Sequence, residues 1–277
     1  MFLMSYFKSA PAAGMFLAAS DYLYDWHILF DGRPVLTPDE NHIMRDPSLI
    51  RTSDGVFHAF FTDNWESRTI GHSTSRNLVE WSRIKHIPLM AHHPDAMNCW
   101  SPSAFYDREA RAYRLIWSTG FFYSYGVVEN RIWMSTTRDF VDFSKPEPFF
   151  DPDYPIIDAF VLPTHDGYRM AFKDDRGSNT ERSDYKAIRT CRFRHTGSDF
   201  VDVSELITKE QTGAPSLAMQ NGRYFLFYEG VTDHANRLSV SDDFVNWHDE
   251  TALANFPDEC RHASIAECLS SDVRRIW

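Results

Sequence analysis

Hydrophobic positions along this chain fall in short blocks rather than at helical spacing. Residues 56–61, 113–117 and 223–228 are apolar or alternating runs of strand length, too short for amphipathic helices. Asp54-Gly55, Asp166-Gly167 and Asn221-Gly222 stand just before such runs. These dipeptides supply the positive φ that tight hairpins need. No stretch carries a sustained period of 3.6 with caps, so the pattern predicts an all-β chain.

Two short motifs recur along it. The first reads Tyr22-Leu23-Tyr24-Asp25-Trp26, Asn77-Leu78-Val79-Glu80-Trp81, Asp139-Phe140-Val141-Asp142-Phe143, Asp199-Phe200-Val201-Asp202-Val203 and Asp243-Phe244-Val245-Asn246-Trp247. The second reads Arg45-Asp46-Pro47-Ser48, Trp100-Ser101-Pro102-Ser103, Ile157-Asp158-Ala159, Gly213-Ala214-Pro215-Ser216 and Arg261-His262-Ala263-Ser264. Each copy of the second opens an apolar run, a turn and another run. Self-similarity at this period signals a repeat architecture. Five units of about four short strands predict a five-bladed β-propeller occupying residues 1–277 as one domain. One C-terminal strand (263–269) and three N-terminal ones (2–7, 15–19, 26–30) complete the fifth blade, which removes free sheet edges. A β-sandwich with coincidental repeats is the alternative.

In a propeller the innermost strands line a central channel, so residues opening them converge at one mouth. Asp46, Asp158 and His262 are therefore candidate site residues, flanked by Arg45 and Gly213. Second strands return to the same mouth, bringing Asp63, Lys173 and Glu229, with Trp65 and Trp100 as candidate platforms. Convergent polar groups in a concavity are the default site expectation. A sugar, with its apolar C–H face and polar rim, suits such a set. Each residue also has a structural alternative. Asp46 could cap a turn, Asp158 could sit in a solvated turn, and His262, Trp65 and Trp100 could be core. Lys173 could pair with Asp174, and Glu229 with Arg237. Trp26, Trp81 and Trp247 are expected to pack blades.

Composition narrows the partners. The formal net charge is -11, which opposes nucleic acid and anionic membranes. Aromatics make up 15% of the chain, which suits strands and ligand platforms. Cys99, Cys191, Cys260 and Cys268 show no metal-like spacing and read as ordinary thiols. No signal peptide is read at the start, leaving a cytoplasmic protein, or a secreted one whose leader was trimmed. The oligomeric state is open.

These motifs, in this order, resemble glycoside hydrolase family 43, five-bladed propellers that include arabinofuranosidases and xylosidases. The resemblance runs over residues 5–266 and rests on Met44-Arg45-Asp46-Pro47-Ser48, Thr62-Asp63-Asn64-Trp65, Ile70-Gly71-His72-Ser73, Trp100-Ser101-Pro102, Ile156-Ile157-Asp158-Ala159, Phe172-Lys173-Asp174 and Arg261-His262-Ala263-Ser264. It implies an inverting hydrolase of plant-type glycans, most readily α-L-arabinofuranosides or β-xylosides. Asp46 matches the general base and Asp158 the residue that orients and tunes the acid. The base and the acid of an inverting enzyme stand about 6.5–9.5 Å apart to admit a water. The family's acid is a Glu in a Glu-Gly-Pro or Glu-Ala-Pro motif, and here Gly213 holds that position. A glycine donates no proton, and general acid help is worth about 10²- to 10⁴-fold.

Three readings follow. Another carboxyl substitutes, Glu229 first and Glu210 second; or Gly213 is an introduced change; or the propeller binds carbohydrate without cleaving it. The resemblance requires no cofactor and allows a calcium ion near His262 at the central channel. Glu259-Cys260 echoes a Glu-Cys motif of related fructan hydrolases, at the wrong place in the order.

Overall fold

The computed structural model describes residues 1–9, 13–122, 128–176, 186–209 and 211–276. Strands β1 (Phe2–Phe7), β2 (Met15–Ser20) and β3 (His27–Ile28) open the chain. Blade 1 follows with β4 (Arg45–Arg51), β5 (Phe57–Thr62), β6 (Ile70–Ser75) and β7 (Lys85–Ile87). Blade 2 holds β8 (Trp100–Asp107), β9 (Ala112–Phe122), β10 (Val128–Thr137) and β11 (Glu147–Phe150). Blade 3 holds β12 (Ile156–Thr164), β13 (Gly167–Asp174) and β14 (Ala187–Phe193). Blade 4 holds β15 (Thr212–Gln220), β16 (Arg223–Gly230), β17 (Asn236–Ser241) and β18 (His248–Asp249). The last strand, β19 (Arg261–Glu267), pairs antiparallel with β1 and heads a sheet ordered β19-β1-β2-β3. The molecule is a five-bladed β-propeller whose fifth blade joins the two ends of the chain, as the sequence predicts.

The strands read as near-continuous apolar runs because both faces are buried. Side chains alternate across a strand, so each blade feeds two inter-blade cores. In β5, Phe57, Ala59 and Phe61 join Leu3 and Leu17 of blade 5, whereas Phe60 joins Leu115 and Trp117 of blade 2. In β16, Phe225 and Phe227 pack against Met4 and Tyr6, while Tyr224, Leu226 and Tyr228 pack against Ala171 and Ile188. Phe105 and Ile132 of blade 2 meet Ile156 and Phe172 of blade 3 in the same way. Losing one large side chain of this kind costs about 3–5 kcal/mol, so the ring is held by its seams.

The first repeated motif is the turn from the third strand of a blade to its fourth. The hydroxyls of Ser20, Ser75, Thr137 and Ser241 accept the amides of Leu23, Leu78, Phe140 and Phe244. Those four apolar residues take positive φ and are buried. Asn77, Asp139 and Asp243 each accept two further amides through Oδ1. Such side-chain turns let an Asx residue stand in for backbone. The copy at 199–203 departs: Asp199 and Asp202, not Phe200, take positive φ, and only a single Arg192–Val201 bridge forms. Blade 3 therefore has three strands where the repeat predicts four. Trp26 is buried between blades 4 and 5, and Trp81 and Trp247 pack at the edges of their cores.

All four cysteines are free thiols. No helix of the described residues is long and apolar enough to cross a membrane.

Candidate active site

The second repeated motif is a β-bulge, and it builds the site. In each inner strand the register slips at the same place: between Arg45 and Ser48, Trp100 and Ser103, Ile157 and Phe160, and Gly213 and Ser216, with the matching slip opposite Arg261–Ser264. The second residue of every copy is left-handed: Asp46 (φ 50°), Ser101 (50°), Asp158 (58°), Ala214 (54°) and His262 (48°). A bulge re-aims side chains and interrupts the ladder. That interruption admits Pro47, Pro102 and Pro215, which have no N–H to donate. A non-glycine left-handed residue costs about 1–3 kcal/mol, and the surrounding blades hold five of them.

The freed amides have designated acceptors in the preceding blade. Ser101 N donates to Thr62 Oγ1 (3.0 Å), Asp158 N to Ser118 Oγ (3.1 Å) and His262 N to Glu229 Oε2 (3.0 Å). Thr62, Ser118 and Glu229 are the cross-strand partners of Arg45, Trp100 and Gly213. In blade 3 that position is Lys173, which cannot accept, and Ala214 N lies 3.4 Å from Asp158 Oδ2 instead.

The first and second motif residues of all five blades line one cavity of about 190 Å³, together with Thr62, Trp65, Lys173, Glu229 and Val231. Asp46 accepts from Thr62 Oγ1 at 2.7 Å and meets His262 Nδ1 at 3.1 Å. Burial pushes the Asp46 carboxyl up, but the His262 charge and hydrogen bond, with Arg45 and Thr62, hold it below the usual range. Burial pushes His262 down, but Asp46, Asp158 and Glu229 outweigh it and raise the imidazole to about 9. At neutral pH the pair is a carboxylate against an imidazolium. Asp158 accepts from Ser101 Oγ at 2.6 Å. Trp65 and Trp100 cross edge-to-face at 6.1 Å, and the Arg45 guanidinium lies 4.5 Å from both the Trp65 and Phe7 ring centres. Lys173 Nζ is 3.5 Å from Asp175. Its stem fills the space beside Gly213, where an added Cβ would stand 3.0 Å from Lys173 Cδ and 3.7 Å from Asp158 Oδ2.

Nine of the ten predicted residues thus share this cavity: Arg45, Asp46, Trp65, Trp100, Asp158, Lys173, Gly213, Glu229 and His262. Asp63 does not. It is fully buried within blade 1, accepting from Ser67 Oγ (2.5 Å), Thr69 Oγ1 (2.6 Å) and His86 Nδ1 (2.7 Å). Thr62 faces the pocket, so its neighbour turns the other way. The expected partners also change. Glu229 pairs with Arg261, not Arg237, through Nε–Oε2 at 3.0 Å and Nη2–Oε1 at 3.1 Å. Asp174 pairs with Arg176 and Arg189 rather than with Lys173. Glu210 lies outside the described residues. The missed lining residues are Thr62, Ser101, Ile157, Ala214, Val231 and Arg261. Arg261 was legible, because it holds the same motif position as Arg45.

Calcium takes six to eight oxygens; beside the His262 imidazole the channel mouth offers the carboxylates of Asp46, Asp158 and Glu229. Three carboxylates and an indole pair in one open pocket can bind a polar ring and activate a water.

Comparison with known proteins speaks for the fold and the family. The model of a family described as "Probable glycosyl hydrolase domain", related to glycoside hydrolase family 43, matches residues 1–273. An α-L-arabinofuranosidase of Bifidobacterium longum subsp. longum is 25% identical over 180 residues, which is 53% of this chain but 16% of that protein. The chain thus spans a small part of that relative's length. Among solved structures, a thermostable family-43 glycoside hydrolase superposes with TM-score 0.61 at 15% identity, covering 77% of this chain and 74% of its own. An α-L-arabinofuranosidase from Lactobacillus brevis gives 0.54 at 17%, covering 75% and 72%. An exo-β-1,3-galactanase from Phanerochaete chrysosporium gives 0.59 at 14%, covering 90% and 54%. At these identities the structures speak for the fold, and the family model for descent: the chain belongs to the glycosyl hydrolase family related to family 43.

Proposed function

We propose that this propeller cleaves O-glycosidic bonds with inversion, acting on an α-L-arabinofuranoside or β-xyloside of plant-type glycans. The observation that carries the reading is the Asp46–His262 pair at the channel mouth, which keeps a buried carboxylate ionised against an open, indole-lined pocket. Asp46 would take a proton from the attacking water. Asp158 would orient the group that protonates the leaving oxygen. Arg45, Trp65, Trp100 and Lys173 would hold the sugar. Glu229, the cross-strand partner of Gly213, is the carboxyl that would take over the acid's task, because Asp158, which lies nearer to Gly213, has the orienting role. To donate a proton it would have to release Arg261 on substrate binding.

A second reading has its own support. Both Glu229 oxygens already accept hydrogen bonds, from Arg261 and the His262 amide, and Gly213 offers no acid. A propeller so arranged would bind glycans without turning over those that need a protonated leaving group.

Paired hydrolysis separates these readings. An aryl arabinofuranoside or xyloside needs little acid help; the matching oligosaccharide needs it fully. Turnover of both supports the complete hydrolase. Turnover of the aryl substrate alone supports an active base without an acid. Binding with no turnover of either overturns the hydrolase reading in favour of a carbohydrate-binding propeller.

A further inference from the structure

On the outer side of blade 1, away from the sugar pocket, three side chains distant in sequence come together. Asp39 and His42 lie on the segment that leads into β4, and His86 lies on β7. One ligand atom from each falls within 4.8 Å of the others. His42 Nδ1 stands 3.1 Å from Asp39 Oδ1, and His86 Nε2 stands 3.3 Å from Asp39 Oδ2. The two imidazoles are stacked, their ring centres 3.8 Å apart and their planes 19° from parallel.

The outer shell of this cluster is what distinguishes it from a chance surface contact. Asp63, the carboxylate that turns away from the sugar pocket, accepts His86 Nδ1 at 2.7 Å. Asp63 is wholly buried and is itself fixed by Ser67 and Thr69 hydroxyls. A carboxylate on one ring nitrogen sets the tautomer and leaves the other nitrogen's lone pair as the ligand. For His86 that other nitrogen is Nε2, which points at Asp39. The Ile43 amide also donates to the Asp63 carbonyl at 2.9 Å, tying the Asp39–His42 segment to the same strand end.

From this geometry we infer that Asp39, His42 and His86 form a divalent zinc site, with Asp63 as the group that orients His86. Two imidazole nitrogens and one carboxylate suit zinc, and an all-oxygen preference makes calcium and magnesium poor occupants. Zinc bonds of about 2.0–2.2 Å put neighbouring ligand atoms about 3.3 Å apart in a tetrahedron. The two nitrogen–oxygen separations, 3.1 and 3.3 Å, are of this size but fall one on each oxygen of Asp39, so the carboxylate must bind through both oxygens or turn to present one. Rotation of His42, the more exposed ring, completes the set, and water takes the fourth position. The metal would staple the segment preceding Arg45 and Asp46 to the outer strand of blade 1. The inference stands independently of the proposed glycosidase activity.

The test uses the full chain, stripped with a chelator and dialysed, then titrated with zinc chloride by calorimetry and followed by thermal melting. One zinc per chain and a raised melting temperature are expected. Cobalt should bind at the same stoichiometry and give the intense visible bands of a tetrahedral site. Asp39→Asn, His42→Gln and His86→Gln should each abolish uptake. Asp63→Asn keeps every ligand and should weaken it by about 10- to 100-fold. His195→Gln, on a different blade, should change nothing. His42→Gln lies on an exposed segment, so circular dichroism of that variant guards against misfolding. Absence of zinc uptake by the unmodified chain overturns the inference, as does uptake that survives His42→Gln and His86→Gln.

Discussion

His262 Nδ1 and Asp46 Oδ1 lie 3.1 Å apart, although 216 positions separate them in the chain. Each belongs to a left-handed bulge residue, so neither side chain would face the channel from a regular strand. The pair favours the ionised form of Asp46, the form that the proposed base role requires. Removing the imidazole leaves the carboxylate buried and poorly compensated, which raises its pKa. In His262→Gln the acid limb of kcat/KM on an aryl glycoside should move to higher pH. An unmoved limb would take His262 out of the tuning of Asp46.

The same pair sets a pH window for stability. His262 is raised from 6.5 to about 9, so its contribution is full below 6.5 and is lost as pH rises through 9. Asp46 is depressed from 3.8, so its contribution is present above 3.8 and is lost as pH falls below it. Melting temperature measured from pH 3 to 10 should be highest between those two ordinary values and fall on both sides. In His262→Gln the alkaline fall should flatten.

Asp46→Asn removes the base without altering size. Turnover of the aryl glycoside should drop by about 10²- to 10⁴-fold, while calorimetric sugar binding persists. Trp65 is half exposed, so Trp65→Ala should leave stability within about 0.5 kcal/mol and raise KM. Unchanged KM would mean that the indole is no platform.

If the unmodified chain turns over the aryl glycoside alone, Gly213→Glu should improve hydrolysis of the natural oligosaccharide by up to about 10²- to 10⁴-fold. The new side chain meets Lys173 Cδ at 3.0 Å from its first carbon. The lysine stem must therefore shift, and pairing the change with Lys173→Met should enlarge the gain. Proximity to Asp158 would help keep the new carboxyl protonated. No gain in either background would argue that the pocket binds the glycan in another pose.

Glu229 has a structural task whatever its chemistry. Its oxygens hold Arg261 and the His262 amide, the same service that Thr62 and Ser118 hydroxyls give the neighbouring bulges. Glu229→Ala strands a largely buried guanidinium and should destabilise the fold by about 3–5 kcal/mol, read from denaturant melts. Glu229→Gln keeps an acceptor, so its kinetics can be read. A loss confined to the oligosaccharide would identify Glu229 as the proton donor, and equal loss on both substrates would leave it structural.

Much of the propeller was legible because strand signals are local. Two-faced burial writes Val56 to Phe61 as an apolar run broken only by His58, and Asp54-Gly55 marks the turn before it. Five copies of one bulge motif, three with proline where the ladder breaks, announced both the blade count and most residues at the mouth. Other features escaped because they depend on which blade meets which. Asp63 looked like a pocket residue beside Thr62, but strand alternation sends it outward to His86, on the outer strand of its own blade. Lys173 lies beside Gly213 only because blades 3 and 4 adjoin at that height. Glu229 finds Arg261 because ring closure sets β19 next to blade 4. A residue's side of its strand follows from period two and can be counted along the chain. The partner it meets there follows from the rotation between blades, accumulated over the whole ring by the inter-blade cores, and no local stretch of sequence encodes that sum.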